Sequence, residues 1–237
     1  IFLSTALGCV EEREISINQL KRGNILKKRR LTFAVLGLTT LLSSYAQLST
    51  ADAVKEGEQL FNQNCAACHQ EDAIGKPGLA PSLTNKELLS IASDTFLTKT
   101  INDGRAGTGM APFKHLGDDK IKAIVAYLRA HEQLPNRSAE VDAQPVNQGD
   151  PRMGEVWFNQ ICSTCHGIKG DGYASGGTGT AIGLKGFLST VSDGFLRESI
   201  KMGRSNTRML SFQSPAAMAN LTDQEIDDII AYLRTLQ

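Results

Sequence analysis

The chain of 237 residues carries no net charge and no long hydrophobic run, and both absences narrow its function. Lysine and arginine together number 25, as do aspartate and glutamate, so no overall charge favours nucleic acid or an anionic membrane as partner. The apolar run from Leu31 to Leu42 has 12 residues, fewer than the roughly 20 of a membrane-spanning helix. No stretch shows sustained strand alternation, which disfavours a β-fold.

The first 51 residues have the layout of a targeting segment. Lys27-Lys28-Arg29-Arg30 precede the apolar run, and Ser44-Tyr45-Ala46 follows it with the small residues of a cleavage site. We predict that residues 1–51 are an N-terminal extension with a signal segment cleaved near Ala46, or alternatively an uncleaved anchor. Residues 47–237 hold 18 basic and 22 acidic residues, and this mildly acidic body favours basic docking partners.

The pentapeptide Cys-x-x-Cys-His occurs twice in the chain. It is the signature of covalent c-type haem attachment, in which two thiols add to the vinyl groups of the ring and the histidine binds the iron. A thiol-redox or zinc site is the alternative, but it requires the histidine after the second cysteine to be a coincidence twice. We predict two covalently bound haem c groups, attached at Cys65 and Cys68 with His69, and at Cys162 and Cys165 with His166.

The chain also repeats itself over longer segments. Residues 57–65 align with 154–162, residues 93–97 with 192–196, and residues 126–129 with 231–234. The offset rises along the chain from 97 to 99 to 105, which indicates small insertions in loops of the second copy. We predict two homologous domains, 52–134 and 151–237, joined by an extended polar linker over 135–150.

The apolar spacing within each copy is helical. Ile121, Ile124, Val125 and Leu128 share one helix face, as do Ile226, Ile229, Ile230 and Leu233. Asp94 and Asp193 are cap signals that mark the starts of the two middle helices. The predicted helices cover 54–64, 94–102, 118–132, 152–161, 193–202 and 222–236, and the predicted fold class is all-α.

A methionine is available to each predicted haem as second iron ligand. A haem that only transfers electrons usually has a second axial ligand, and the soft thioether of methionine favours ferrous iron. Met110 is the only methionine between the first motif and the linker, and Met209 aligns with it. We predict both as ligands, whereas Met153, Met202 and Met218 have no such alignment and are expected to fill space.

With these motifs each half resembles a class I c-type cytochrome, in which a helix leads into Cys-x-x-Cys-His and is followed by a loop, a middle helix, a Met loop and a closing helix. The chain after residue 52 is similar to two-domain dihaem cytochromes c, of which cytochrome c4 is the best-known kind. The resemblance implies two tandem domains, each wrapped round one covalently bound haem. It also implies that the first and last helices cross where a glycine meets an aromatic residue, at Gly57 with Tyr127 and at Gly154 with Tyr232.

The resemblance assigns further residues around each haem. Pro81 matches a proline whose carbonyl orients the iron-bound histidine, but Thr180 stands at the aligned position of the second half, within a glycine-rich stretch. Arg105 and Arg204 precede the two methionines and could pair with haem propionates, the alternative being plain surface charge. His115 and His131 have no counterparts in the other half, and we expect them at the surface.

Together these features predict a periplasmic electron carrier that works between a respiratory donor and an acceptor. Redox proteins are the expected partners, without nucleic acid or a small-molecule substrate, and peripheral membrane association is compatible with the N-terminal segment. An electron-accepting subunit of a sulfur-compound or alcohol dehydrogenase complex is the alternative. A catalytic haem is disfavoured because Met110 and Met209 would fill the sixth iron position.

Overall fold

The computed structural model describes residues 50–214, 217 and 219–237. The predicted signal segment, its cleavage position at Ala46, and Met218 lie outside these residues. Residues 52–237 form one compact unit. Regular structure in the described residues is helical apart from one antiparallel bridge between Lys76 and Ala80, which confirms the all-α prediction. No helix in the described part of the chain is long and apolar enough to span a membrane.

The first half contains five α-helices. They are α1 over 50–64, α2 at Ala66–His69, α3 at Lys86–Ile91, α4 at Asp94–Asp103 and α5 at Asp118–Arg129. The N-cap of α4 is Ser93 rather than Asp94, because the Ser93 hydroxyl accepts the N–H of Phe96 at 3.2 Å. The closing helix ends at Arg129, three residues before the predicted end, where the backbone changes to i→i+3 bonds.

The second half repeats this order with small differences. Its helices are α7 at Pro151–Trp157, α8 at Ser163–His166, α9 at Lys185–Leu188, α10 at Asp193–Met202 and α11 at Asp223–Thr235. A π-helical turn, Phe158–Cys162, joins α7 to α8. Ser192 caps α10 as Ser93 caps α4, and Thr222 with Glu225 forms a capping box at the start of α11.

The first and last helices of each half cross at a glycine, as the resemblance implies. A Cβ on Gly57 would lie 1.9 Å from the carbonyl oxygen of Ala123 and 2.9 Å from the Cβ of Tyr127. A Cβ on Gly154 would lie 1.8 Å from the carbonyl oxygen of Asp228 and 2.9 Å from the Cβ of Tyr232. Only glycine permits backbones to approach this closely, so these crossings fix how the first helix delivers the haem motif.

The segment predicted as an extended linker is partly helical and packs against both halves. It contains α6, Ser138–Asp142, whose Val141 is fully buried. The backbone N–H of Arg137 donates to the carbonyl of Ser90 at 2.7 Å, while its guanidinium lies 3.4 Å from Glu198. The extended conformation was therefore wrong over α6, because one buried valine is too few to show an apolar period.

The two halves meet around an approximate two-fold axis. Phe96 and Phe195 are equivalent in the repeat, and their ring centroids lie 5.0 Å apart. A two-fold axis between two copies brings a residue into contact with its own counterpart. Contacts nearby follow the same relation: Arg105 donates to the carbonyl of Gly186, and Ser205, the residue after the Arg105 counterpart Arg204, donates to Glu87, the counterpart of Gly186.

Candidate haem-binding sites

The first site is built on the turn that follows α1. Helix α2 carries Cys68 and ends in His69, which is 8% exposed. The Nδ1 of His69 lies 2.9 Å from the carbonyl oxygen of Pro81, the contact that the resemblance predicts. Burial lowers the pKa of His69, and the bond to Pro81 opposes this effect in part. The neutral ring therefore donates through Nδ1 and leaves the Nε2 lone pair for a metal.

The loop that carries the Pro81 carbonyl is held by backbone bonds. Lys76 and Ala80 exchange two hydrogen bonds of 2.9 and 3.0 Å, and Leu83 N–H donates to the Ala73 carbonyl at 2.8 Å. Gly75 N–H closes the loop by donating to the carbonyl of His69 at 2.9 Å. These bonds give the Pro81 carbonyl a defined position beside the ring.

The second site has the same geometry with a different residue as acceptor. The Nδ1 of His166 lies 2.7 Å from the carbonyl oxygen of Thr180. Burial lowers the pKa of His166, again opposed in part by this bond. The departure from proline at Thr180 therefore removes nothing from the contact, because the acceptor is a backbone oxygen that every residue supplies.

The four motif cysteines are free thiols, two in each half. Burial raises the pKa of Cys65 to about 11 and that of Cys162 to about 12, with a smaller contribution from the second cysteine of each motif. Redox-active Cys-x-x-Cys pairs have lowered thiol pKa values instead. The electrostatics of these sites thus disfavour the thiol-redox alternative.

The two methionine loops are held by matching sets of bonds. Met110 accepts the N–H of Arg105 at 2.9 Å, and Met209 accepts that of Arg204 at 2.6 Å. The N–H groups of Met110 and Met209 donate to the hydroxyls of Thr108 and Thr207 at 3.2 and 3.0 Å. The sequence alignment of the two loops is thus also an alignment of backbone geometry.

Comparison with known proteins decides the family. Residues 52–128 match the family described as cytochrome c oxidase, cbb3-type, subunit III, and residues 152–237 match the family described as cytochrome c. The chain belongs to the c-type cytochromes. Its fold of two tandem cytochrome c domains agrees with the prediction.

Two relatives show how the cytochrome compares with longer proteins. It is 30% identical over 188 residues to the cbb3-type cytochrome c oxidase subunit CcoP of Rubrivivax gelatinosus, covering 78% of this chain and 55% of that protein. It is 26% identical over 228 residues to the cytochrome bc1 complex cytochrome c subunit of Mycobacterium bovis, covering 90% of this chain and 75% of that subunit. The cytochrome thus spans little more than half the length of the first relative.

A solved structure has a similar extent. A chain of the Kuenenia stuttgartiensis reducing HAO-like protein complex Kustc0457/Kustc0458 is 19% identical, with a TM-score of 0.48, and the match covers 76% of this cytochrome and 95% of that chain.

The two arginines before the methionines occupy different surroundings in the cytochrome. Arg105 donates to the Gly186 carbonyl and the hydroxyls of Thr190 and Thr100 at 2.9–3.2 Å, and its guanidinium lies over the rings of Phe96 and Phe187. Arg204 donates to its own half, at the Gly203 carbonyl and the Ser199 hydroxyl. Neither arginine is a plain surface charge.

Burial lowers the pKa of both arginines to about 10. For Arg204 the charge of Glu87 opposes this effect. For Arg105 the bonded and stacked partners in the described residues are all neutral. Burying a cation without a neighbouring acid costs free energy, so an anionic partner would stabilise Arg105.

Arg129 and Arg234 also organise the cytochrome, although the sequence assigned them no role. Each donates to two backbone carbonyls at the end of the preceding short helix: Arg129 to Leu89 and Ala92, Arg234 to Leu188 and Val191. The signal that could have revealed them is their position in the repeated Ala-Tyr-Leu-Arg. An arginine repeated on a closing helix has five donors for such carbonyls.

His115 and His131, which were expected at the surface, make no hydrogen bond to either haem motif within the described residues. His115 is exposed, and the Nδ1 of the half-buried His131 lies 3.0 Å from the carbonyl of Tyr127, one helical turn earlier. His131 also packs edge-on against the Tyr127 ring at 4.9 Å. These are packing contacts within the first half.

Proposed function

We propose that this cytochrome carries electrons in the bacterial periplasm through two covalently bound haem c groups, one in each of the domains 52–134 and 151–237. The observation that carries the proposal is the repeated histidine geometry: in both motifs Nδ1 is bonded to a backbone carbonyl and Nε2 is left for iron. When bound, each haem supplies one iron that holds or releases one electron.

The chemistry of the side chains fits that group. Unpaired cysteine thiols and a neutral imidazole stand in the order that thioether attachment and iron binding require. The indole N–H of Trp157 is buried and lacks a hydrogen-bond partner within the described residues. Buried polar groups normally have a partner, and a haem propionate oxygen would accept a hydrogen bond from this N–H. In the proposed sites Cys65, Cys68, Cys162 and Cys165 hold the rings, and His69, Met110, His166 and Met209 hold the irons.

We assign Pro81 and Arg105 roles beside the first haem and Arg204 a role beside the second. The Pro81 carbonyl orients the His69 ring and makes it a stronger donor to iron. Arg105 supplies a buried positive charge that an ionised haem propionate would neutralise. Arg204, whose charge Glu87 already partly offsets, would hold its propionate less strongly.

The two halves are arranged for transfer within one molecule. Their contact around Phe96 and Phe195 joins the two domains without a mobile connection, because α6 is packed against both of them. An electron would then enter at one domain and leave from the other. The differences between the halves would distinguish the donor side from the acceptor side.

A second candidate is a resident electron-transfer subunit of a respiratory complex. The similarity to subunits named for a cbb3-type oxidase and a bc1 complex favours it over the dehydrogenase subunit considered from the sequence. The domains would work in the same way in either case. Purification of the tagged chain separates the two, because a resident subunit is purified together with the other subunits of its complex, whereas a free carrier is purified without them.

The decisive experiment is a haem count and a redox titration of the mature protein. We expect two haems per chain, two one-electron steps and the red-region absorption of Met-ligated ferric haem. Met110→Ala and Met209→Ala should each abolish half of that absorption, whereas the half-exposed Met153→Leu should leave it unchanged. One haem per chain, or a high-spin spectrum in the unmodified protein, would refute the proposal.

A further inference from the structure

Gly179 lies directly against the second histidine. Its N–H donates to the carbonyl of Cys165 at 2.7 Å, and the next residue, Thr180, accepts the His166 Nδ1 at 2.7 Å. A Cβ on Gly179 would be 2.8 Å from both Cε1 and Nδ1 of the His166 ring and 3.1 Å from the Cys165 oxygen. Gly179 is not among the residues with positive φ, so space rather than backbone conformation excludes a side chain here.

The first half solves the same problem in another way. Ala80 is the counterpart of Gly179, and its backbone pairs in both directions with Lys76 instead of with the haem motif. The alanine methyl is accommodated there, since Ala80 is 6% exposed in the packed loop. At the residue before the acceptor carbonyl, the loop that orients His69 is thus bonded to Lys76 of its own loop, whereas the loop that orients His166 is bonded to the Cys165 carbonyl of the motif.

We propose that Gly179 is a positioning residue for the second haem site: it allows backbone 179–180, anchored by the Gly179 N–H bond to the Cys165 carbonyl, to lie on the His166 ring and clamp its Nδ1 with the Thr180 carbonyl. The inference rests on the proposed function in that His166 binds the second iron. It assigns the inequality of the two sites to residue 179 rather than to the exchange of Pro81 for Thr180. Any side chain at 179 must displace the ring or the Thr180 carbonyl, and both changes weaken the Nδ1 bond.

The test is Gly179→Ala in the full two-haem protein. A weaker Nδ1 bond makes His166 a poorer donor to iron and so favours ferrous iron. We expect the ferrous-to-ferric equilibrium of the second haem to rise about tenfold, equivalent to about 59 mV for a one-electron couple. The electron paramagnetic resonance signal of that haem should also change, while the first haem keeps its potential and its signal. Met209→His identifies which step belongs to the second haem.

Gly176→Ala is the matched control. Gly176 has a φ of 78°, and a Cβ there would meet no atom within 4 Å, so this change strains the backbone of the same loop without touching the ring or the Cys165 carbonyl. We expect it to lower stability without shifting the potential. Ala80→Gly should likewise leave the first potential unchanged, because the Lys76 bonds remain.

The outcomes separate this inference from the proposed function. An equal shift in Gly176→Ala, or no shift in a Gly179→Ala protein that retains both haems, overturns the positioning role. Should Gly179→Ala not retain its second haem, exchange of the His166 ring N–H in the unmodified protein decides: the clamp requires slow exchange, and fast exchange overturns it. Absence of a second haem from the unmodified protein would instead refute the proposed function.

Discussion

Arg105 and Arg204 occupy equivalent positions in the repeat, yet their electrostatic surroundings differ. Arg105 reaches across to the second half and stacks between Phe96 and Phe187, at 5.2 and 5.1 Å from their ring centres. Lysine has a point charge in place of the planar fork and satisfies neither the stacking nor the two bonds across the interface. The charge alone is therefore not what this position requires.

We predict that Arg105→Lys lowers the free energy of unfolding by about 1–3 kcal/mol, from one or two lost hydrogen bonds and the weaker ring contact. Denaturant unfolding followed by circular dichroism measures the change. Arg152→Lys is the control, because the Arg152 side chain is 89% exposed and an exposed pair contributes less than about 1 kcal/mol. Equal losses in both variants would show that Arg105 acts only as a surface charge.

At the scale of single residues, the sequence indicates which side chains belong to the proposed sites, but it does not show which backbone atoms contact them. It selected the motif cysteines and histidines and the aligned methionines, because those side chains carry the chemistry that the spacing reveals. It recorded Thr180 as a departure from Pro81 because alignment compares side chains, whereas the acceptor is a backbone oxygen. Gly179 was only one of several glycines in the glycine-rich stretch, because its close approach to the His166 ring depends on tertiary packing.

Among the helices, an ion pair repeated in both halves joins the closing helix to the start of the middle helix. Arg129 contacts Asp94 at 2.7 Å, and Arg234 contacts Asp193 at 2.7 Å. The two pairs differ in burial, since the Asp94 side chain is 71% exposed and that of Asp193 is 7% exposed. Asp193 also accepts the backbone and side-chain N–H groups of Asn147 from the linker.

The burial of Asp193 predicts a pH effect at the second pair. Burial works to raise the pKa of Asp193, but the bonds from Asn147 and Arg234 outweigh it and hold that pKa below its ordinary value. A carboxyl group whose pKa is lowered by folding stabilises the folded state at pH values above its unfolded pKa, which is near 4. This stabilisation is lost as the pH falls through the lower pKa of the folded state. Asp193→Asn should therefore cost about 2–3 kcal/mol at pH 7, and this difference should shrink below about pH 4.

Unfolding in denaturant across that pH range measures the effect. Asp94→Asn is the matched control and should cost less than about 1 kcal/mol, because its ion pair is exposed. A pH-independent cost at Asp193 would indicate that packing, not ionisation, stabilises the junction.

The accuracy of the helix prediction followed the length of each helix. The closing helices α5 and α11 were predicted because several turns of apolar spacing mark their buried faces. Helices α3, α6 and α9 have four to six residues, too few for a period, and their formation depends on caps and tertiary contacts instead. The Asn85 side chain, for example, accepts the N–H of Leu88 and so starts α3.

In the whole molecule, the repeat has become an approximate two-fold arrangement with unequal contacts. Glu87 stands in the first half where the second half has Gly186. One of the two equivalent contacts between the halves therefore uses a carboxylate and the other a backbone carbonyl. The repeat in the sequence makes a two-fold interface an expectation but does not establish it, because an internal repeat is also compatible with separate or differently packed domains. What reveals it is the contact of Phe96 with its own counterpart.

That contact should couple the stabilities of the two halves. We predict that Phe96→Ala and Phe195→Ala each destabilise the protein, while the double variant costs less than their sum by about 0.5–1.5 kcal/mol, the energy of one aromatic pair. Calorimetry should also show the single unfolding transition broadening or dividing in the double variant, because each half keeps its own core.

Phe61→Leu is the control. Phe61 packs against Tyr127 inside the first half, with ring centroids 5.2 Å apart, so this substitution should lower the stability of that half and leave the coupling intact. Strict additivity of Phe96 and Phe195 would mean that the interface depends on Arg105 and Glu87, and then Glu87→Gln should separate the halves instead.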